Sequence, residues 1–513
     1  MHRPSTAEAE VAAELADVRP GLAARYQAEL PGARAAVLTR LWRALAHEPL
    51  PWITAREITG DGLTLRLSDG RRLHGPRADP YATAAYVTEV RLEKAAYADP
   101  ARLMFELGVA RGTGFVAELG HSVASLALSR AGQQPVAASD ASKEWPVRDW
   151  EWEQRVVDGH PYHPGCRSRP GFSVAEQLAY GPEHRPQVEL GLWPVPADEC
   201  LLTGDWPDEL RDGEQLLIPV HPWQAAHVLK RGCERGIGGA RPLMSLRTLA
   251  LPGGPHVKTA LSARLTSSVR DISGYSIALS ATLSAFAEAL AARTDGLLHI
   301  TRTLGAATAD SPDLAAVLRE SPQEYAGPGE RVVPVAALAT TELTSSPAWL
   351  AAFARLALTV GLQLLDLGVA LEAHGQNLLV VLDAEGAPRR LVYRDLADIR
   401  VSPARLARHR VPVPELTGRI VTDDETTLRR KLFGSLVAGA LAGTAGSAAA
   451  LGAALETAVR DLPGTADLTV LREEPLPAKA LTLMRLSPRT PGDQWARLPN
   501  PLLPDPLPPN PLR

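Results

Sequence analysis

The sequence predicts an α+β protein built in about three parts. Three observations carry this. The chain has 513 residues, which at roughly 100–200 residues per domain suggests about three units. Apolar residues recur at helical spacing near both ends. Between them lies a section rich in Pro, Gly and Trp, with short strand-like runs.

The first unit, residues 1–140, opens with helices through Val11, Ala12, Leu15 and Val18, then Ala36, Leu38, Leu41, Trp42 and Leu45. Ile53 to Leu73 partly alternates, and its Asp61-Gly62 and Asp69-Gly70 pairs signal hairpins. Helix is expected again over 82–130, with Leu103, Phe105, Leu107, Phe115, Leu119, Val123 and Leu126 as its core stripe. Gly132 to Asp140 reads as a linker. The second unit, residues 141–345, is mixed α/β. Its strand-like runs are Leu216 to Val220 and His256 to Leu261, and a helix is expected over about Ile277 to Ala292. The third unit, residues 346–513, begins with an apolar helix from about Ala348 to Leu371. A polar loop, 372–377, leads into strands Leu378 to Leu382 and Arg390 to Arg394, joined by a turn at 383–388. Helix resumes near Thr426. The Pro-rich tail from Leu498 to Arg513 reads as extended surface chain.

Composition excludes several classes. Hydrophobic residues are 45% and charged residues 22%, as in an ordinary globular chain. The net charge, 54 − 58 = −4, leaves no global footprint for nucleic acid or a membrane surface. Cys166, Cys200 and Cys233 are too dispersed for a disulfide framework, so a reducing cytoplasm is expected. No secretory signal is expected at the N-terminus. Leu432 to Leu455 lacks charge, but its Ala, Gly and Ser content suits a buried helix better than a membrane span. Only Lys94, Lys143, Lys230, Lys258, Lys431 and Lys479 are lysines, and the other 48 of the 54 basic residues are arginine.

Common nucleotide motifs are absent. Gly253 to Thr259 comes nearest to a phosphate loop, but Val257 stands where glycine is needed. Gly120-His121-Ser122-Val123-Ala124 lies in a helical pattern, not at a strand-to-helix elbow. The loop from Gly159 to Phe172 holds His160, His163, Cys166, Arg167 and Arg169 between prolines. It suits a carboxylate or phosphate, with an ordinary Pro-Gly surface loop as the alternative. Zinc lacks a fourth ligand at finger spacing. Arg247, Lys258, Arg264 and Arg270, with nearby hydroxyls, match a polyanion, and a solvated charged face is the alternative. If His256 to Arg264 is one strand, Lys258 and Arg264 share a face. Glu372, His374, Gln376 and Asn377 precede one hairpin strand and Asp395 follows the other. Symmetric pairing about Gly386 sets Asn377 opposite Asp395. Glu372, Asn377 and Asp395 then gather hard oxygen ligands of the kind a magnesium–nucleotide complex takes. Protein kinases use a comparable plan.

The ordered set resembles the IucA/IucC family, the siderophore synthetases that work without nonribosomal peptide synthetases. The carrying motifs are His160 to Phe172, Tyr180-Gly181-Pro182-Glu183, Ile218 to Gln224, Ser245-Leu246-Arg247-Thr248, Lys258 through Thr266 to Arg270, Glu372 to Asn377, Arg394-Asp395 and Ala478-Lys479-Ala480-Leu481 to Leu486. The resemblance implies a three-lobed cupped hand of thumb, fingers and palm, the palm with kinase-like elements. It implies a ligase that adenylates a carboxylic acid with ATP and passes it to an amine or alcohol. By resemblance, Ser245, Arg247, Thr248, Lys258 and Arg270 hold phosphates, and His374, Gln376 and Asn377 meet the nucleotide. His163, Arg167, Thr266 and Arg270 face the acid, with Arg167 standing where the family usually has lysine. Glu372, Asn377 and Asp395 hold Mg2+, and Arg270, His374 and Lys258 are the catalytic candidates. A homodimer is the family's usual state and has no support in this sequence. A kinase-like phosphotransferase and a non-catalytic binding relative stand as alternatives.

Overall fold

A computed structural model describes residues 6–60, 62–133, 145–265, 268–487, 490 and 492–503. The linker expected at 132–140, Thr266 and most of the Pro-rich tail therefore lie largely or wholly outside the described residues.

The first lobe packs helices Ala7–Val18, Ala23–His47, Pro100–Leu107 and Thr113–Ala131 against a five-stranded antiparallel meander. Thr6 and Asp99 accept backbone N–H groups at two of the helix starts. Trp42, Leu41, Leu45, Leu65, Leu73, Leu119 and Leu126 share one core. Helix was expected throughout 82–130, but strands Val90–Leu92 and Ala95–Tyr97 form a hairpin there. Glu93, at φ 54°, turns the chain between them. Phe105 was placed in the core stripe and is 70% exposed. Leu103, Met104 and Leu107 take the buried face of that short helix, which turns Phe105 away.

The second lobe is a nine-stranded sheet with every pairing antiparallel. Its central strands are Ala315–Arg319, His256–Thr259, Thr248–Ala250, Arg235–Pro242 and Val188–Pro196. The run from His256 was expected to continue to Arg264. It is instead split at Ala260, whose N–H makes the last rung with strand Ala315–Arg319, to the Ala315 carbonyl. Strand Leu261–Leu265 then pairs with Ser268–Arg270 in a separate ribbon, so the shared face proposed for Lys258 and Arg264 fails.

The third lobe centres on helix Pro347–Leu367 and a four-stranded sheet ordered Leu298–Ile300, Pro388–Tyr393, Leu378–Leu382, Arg331–Pro334. Two of these strands precede residue 346, so the sheet crosses the expected boundary. Pro347–Leu367 is long and apolar enough to cross a membrane, with 67% of its most apolar stretch buried. The uncharged stretch from Leu432 contains a π-helix, Phe433–Leu441, and bends by 118° near Gly446. Strand Leu476–Lys479 packs on that π-helix and pairs with Trp495–Leu498.

The chain's two ends are stitched together. The buried Glu48 carboxylate accepts the N–H groups of Thr482 (3.2 Å) and Leu483 (2.8 Å), at the start of helix Leu481–Leu486. Burial pushes that carboxyl up to about 7 even against these donors. Arg485 makes a two-pronged ion pair with Glu118 on helix Thr113–Ala131.

Packing against Trp42 leaves no room at Gly75, where a Cβ would lie 2.6–3.0 Å from three ring atoms. The ring is also pinned by its Nε1 donating to the Pro76 carbonyl at 2.8 Å. Gly75→Ala is therefore expected to destabilise the fold by about 1–3 kcal/mol. Denaturant unfolding checks this, and an unchanged midpoint would show that the ring yields freely.

Candidate functional site

Strand register builds the cationic wall. Thr248 lies opposite Lys258, and His256 opposite Arg319, on neighbouring strands. Residues two apart on a strand share a face, so Thr248, Lys258, His256 and Arg319 point the same way. Ser245 accepts the Thr248 N–H at 3.1 Å, closing a turn in which Leu246 takes φ 64°. Arg247 projects beyond this turn and donates to the carbonyls of Arg270 (2.6 Å) and Asp271 (2.8 Å).

Asp395 meets this wall from the third lobe. It follows strand Pro388–Tyr393 at φ 69°, a conformation Asp tolerates better than most residues. Lys258 Nζ donates to both of its oxygens, at 2.8 and 2.6 Å. Burial pushes the Asp395 carboxyl up, but Lys258, Arg319 and Arg247 outweigh it and hold the group far below the usual carboxylate range. Burial pushes the Lys258 ammonium down to about 8, against the pull of Asp395. The side chain of Lys258 is only 12% exposed.

A second charge cluster lies beside the first. Glu372 Oε1 is shared by Lys479 (2.8 Å) and Lys431 (3.1 Å), and Lys479 also pairs with Asp493 at 3.3 Å. Burial raises the Glu372 carboxyl, while Lys479, Lys431 and His374 together bring it to about 2. The Tyr393 hydroxyl joins the clusters, accepting the Glu372 N–H at 3.2 Å and donating to the Asp395 carbonyl at 3.3 Å. His374 Nδ1 accepts the Gln376 N–H (3.2 Å), and Asn377 Nδ2 donates to the Glu372 carbonyl (3.4 Å). Burial is the main force lowering the His374 pKa.

One expected pairing is off by a residue. Leu378 faces Tyr393, not Arg394, because the turn sets Leu382 against Pro388, two positions short of pairing about Gly386, and the extra residue beyond Leu382 restores only one of them. Asn377 therefore sits across from Arg394, whose N–H donates to the Asn377 carbonyl at 3.1 Å. Glu372, Asn377 and Asp395 still lie around Tyr393. Their oxygens are the hard donors magnesium takes, so the residues fit that ion. Among the described residues no cluster of three or more His, Cys, Asp or Glu forms a protein-only metal site. Ligands from a phosphate would thus be needed to complete the coordination.

The loop carrying His160 and His163 borders the cations. His163 is buried, and its Nδ1 accepts the Gly165 N–H at 2.8 Å. Burial, then Arg485 and Arg270, push its imidazole down to about 3, and its Nε2 has no partner. A neutral ring with one unpartnered nitrogen can bond a ligand. The expectation for Arg167 needs correction. Its guanidinium is used inside the loop, on the carbonyls of Val156 and Val157 (2.7 Å to the latter) and, at 3.5 Å, on Glu183. It anchors the loop and is not presented to a substrate. Thr266 lies outside the described residues.

Three parts of the site escaped sequence reasoning. Arg319 ends the apolar strand Ala315–Arg319 and is 6% exposed, so a lone cation closing such a strand was the available signal. Lys431 was one of six lysines but belonged to no motif. The short helix Asp149–Glu153 gave no signal. Its Glu153 pairs with Arg394 at 2.7 Å and accepts the Met244 N–H at 3.0 Å. Asp149 pairs with His256 at 2.9 Å. Arg394 also donates to the Gln376 carbonyl at 3.1 and 2.8 Å. This helix thereby ties the turn at 243–248 to the loop at 372–377.

Comparison with known proteins finds similar sequences and folds. Residues 149–340 match the model of the IucA / IucC family, and residues 347–493 match the model described as ferric iron reductase FhuF-like transporter. The latter segment contains no cysteine. The chain is 24% identical over 310 residues to a citryl-spermidine/3,4-dihydroxybenzoyl-citryl-spermidine:spermidine ligase of Bacillus anthracis, covering 48% of this chain and 50% of the relative. It is 25% identical over 324 residues to the staphyloferrin A synthase of Staphylococcus aureus, covering 52% and 55%. The chain thus spans about half the length of these curated relatives. Among solved structures, the petrobactin biosynthesis protein AsbB of Bacillus anthracis superposes with a TM-score of 0.75 at 18% identity, covering 94% of this chain and 98% of that one. ATP-bound aerobactin synthetase IucA of Klebsiella pneumoniae gives 0.71 at 19% identity, covering 92% and 99%. Residues 149–340 thus match the IucA / IucC family's model, and nearly the whole chain shares the lobed fold of IucA.

Proposed function

We propose that this chain is an ATP- and magnesium-dependent ligase. It adenylates a carboxylic acid such as citrate or a succinyl derivative and condenses it with an amine or alcohol, in siderophore or related natural-product assembly. The observation that carries this reading is Asp395 held by Lys258 beneath Arg247 and Arg319, where two lobes meet. The names of the relatives, a spermidine ligase, a staphyloferrin A synthase and a D-ornithine–citrate ligase, support the substrate classes. A cytoplasmic setting, where ATP is available, belongs to the same proposal.

The chemistry follows from charge. Adenylation drives a carboxylate against an α-phosphate, and both are anions. Cations that do not reorganise during the reaction lower that barrier most. Ser245, Thr248, Arg247, Lys258 and Arg270 are assigned to the phosphates, and His374, Gln376 and Asn377 to the rest of the nucleotide. Arg270 and His163 are assigned to the acid, with Thr266 beside them. Magnesium held by Glu372, Asp395 and Asn377 would add phosphate neutralisation. Lys258, released from Asp395 on nucleotide entry, would turn its ammonium to the phosphates. In-line attack then needs alignment rather than a covalent enzyme intermediate.

Incubation with ATP, magnesium, a panel of polycarboxylates and hydroxylamine tests the reading. AMP and a hydroxamate, formed together, are expected. ADP without AMP would replace the ligase with a phosphotransferase, and no acid-dependent turnover would leave a binding protein. Arg270→Ala and His374→Ala should each reduce AMP formation about 10²–10³-fold without loss of the folded circular dichroism spectrum. Near-normal turnover by both would refute the site assignment. Lys258 is charged below about pH 8 and loses its proton as pH rises through that value. The free-enzyme profile of kcat/KM for ATP should therefore fall above about pH 8. Lys258→Arg should lower the plateau and move this limb out of range, because a guanidinium stays protonated. A limb that persists in Lys258→Arg would assign it to another group.

A further inference from the structure

A cavity of about 520 Å³ opens beside the assigned acid-binding residues and has no part in the site described so far. One wall is a face of helix Thr113–Ala131, with Gly114, Ala117, Glu118 and His121 at helical spacing. The opposite wall is Pro170, Gly171, Trp223, Ser262 and Ala263. Its volume suits a small organic molecule.

The walls continue elements of the site. Pro170 and Gly171 close the same loop that carries His163, and Trp223 Nε1 donates to the Gly171 carbonyl at 3.1 Å. Ser262 and Ala263 lie on the strand paired with Ser268–Arg270, in which Leu261 faces Arg270. Glu118 is paired with Arg485, which with Arg270 bears electrostatically on His163. Glu118, through Arg485, and Ser262, through the strand pair, thus connect the cavity to the surroundings of His163 and Arg270.

The cationic character of the site does not extend to the described lining of the cavity. Cations dominate where an acid and phosphates would bind. Among the described residues no lysine or arginine lines the cavity, and the ionisable groups there are the Glu118 carboxylate, paired from behind with Arg485, and the His121 imidazole. Among the described lining residues an anion finds no cation. A primary amine gains two acceptors and apolar walls for its alkyl chain. The Trp223 ring is stacked between Phe172 (5.0 Å) and His227 (4.7 Å), so it serves as a wall and not as a cation–π platform.

We propose that this cavity binds the acceptor as a primary alkyl amine, with Glu118 and His121 receiving its N–H groups and Ala117 and Trp223 flanking its chain. The proposal rests on the ligase reading for its catalytic meaning, but the binding itself does not. Two variants of the full chain test it, Ala117→Met, which fills the cavity, and His121→Gln, with circular dichroism to verify folding. The probes are 1,4-diaminobutane, which must occupy the cavity, and hydroxylamine, which is too small to need it. In both variants the KM for the diamine, relative to that for hydroxylamine, should rise at least tenfold. A rise in the KM of the acid instead, or an unchanged ratio, would overturn the proposal. Calorimetry of diamine binding to the unmodified protein and to Ala117→Met separates the two readings. If no acid supports turnover but the diamine binds and Ala117→Met abolishes binding, the ligase reading falls and the amine site stands. Equal affinities, or no binding to either protein, would sink the site.

Discussion

The organising constraint is a carboxylate taken out of water. Asp395 sits at the meeting of two lobes, with Lys258 on both of its oxygens and Arg319 and Arg247 close by. Desolvating a charge costs several kcal/mol unless it is paired. The palm strand that carries Asp395 and the sheet strand that carries Lys258 are therefore bound to one relative position. Removing one partner leaves the other stranded, which makes the pair a clamp as well as a site. The same pairing keeps a dense cationic wall compatible with a folded protein.

The pattern is repeated at Glu372, where two ammonium groups share one oxygen, and Tyr393 couples the two centres through the backbone. Glu153 adds a third tie, reaching from the turn before Ser245 to Arg394 and so to the Gln376 carbonyl. Candidate-site residues from three stretches of sequence are held by buried charge pairs rather than by one continuous element. Three of the six lysines serve these pairs, although arginine supplies nearly all other basic positions. An ammonium can be approached from all sides by several acceptors, which suits a shared carboxylate better than a planar guanidinium fork does.

Much of this was legible in sequence, for definite reasons. Long amphipathic helices such as Pro347–Leu367 declare themselves by period, and the Leu378–Leu382 hairpin by its apolar runs and turn. Glu372, His374, Asn377, Lys258 and Asp395 were found because polar groups stood together at strand ends. What stayed hidden depended on tertiary placement. The turn that sets Leu382 against Pro388, and the extra residue that follows it, leave no mark in composition, yet together they place Asn377 opposite Arg394 and not Asp395. Ala260 splits a run that alternates smoothly on paper. Arg167 looked like a ligand because its loop is rich in cations, but the carbonyls at 156 and 157 take it. Arg319 and Glu153 acquire meaning only when distant strands bring them to Asp395 and Arg394.

The stitching of the first lobe to the helix Leu481–Leu486 bears on the order in which the molecule is assembled. A chain synthesised from its N-terminus presents Glu48 and Glu118 more than 360 residues before Leu483 and Arg485 appear. Domains generally fold as units during synthesis, so the first lobe has time to form with both acids facing water. Glu48 then enters the interior only when the late helix docks on it. The Arg485 side of the pocket is consequently the last part to close. A lesion in 481–486 would act as a failure to latch a lobe already folded, not as a failure to fold it.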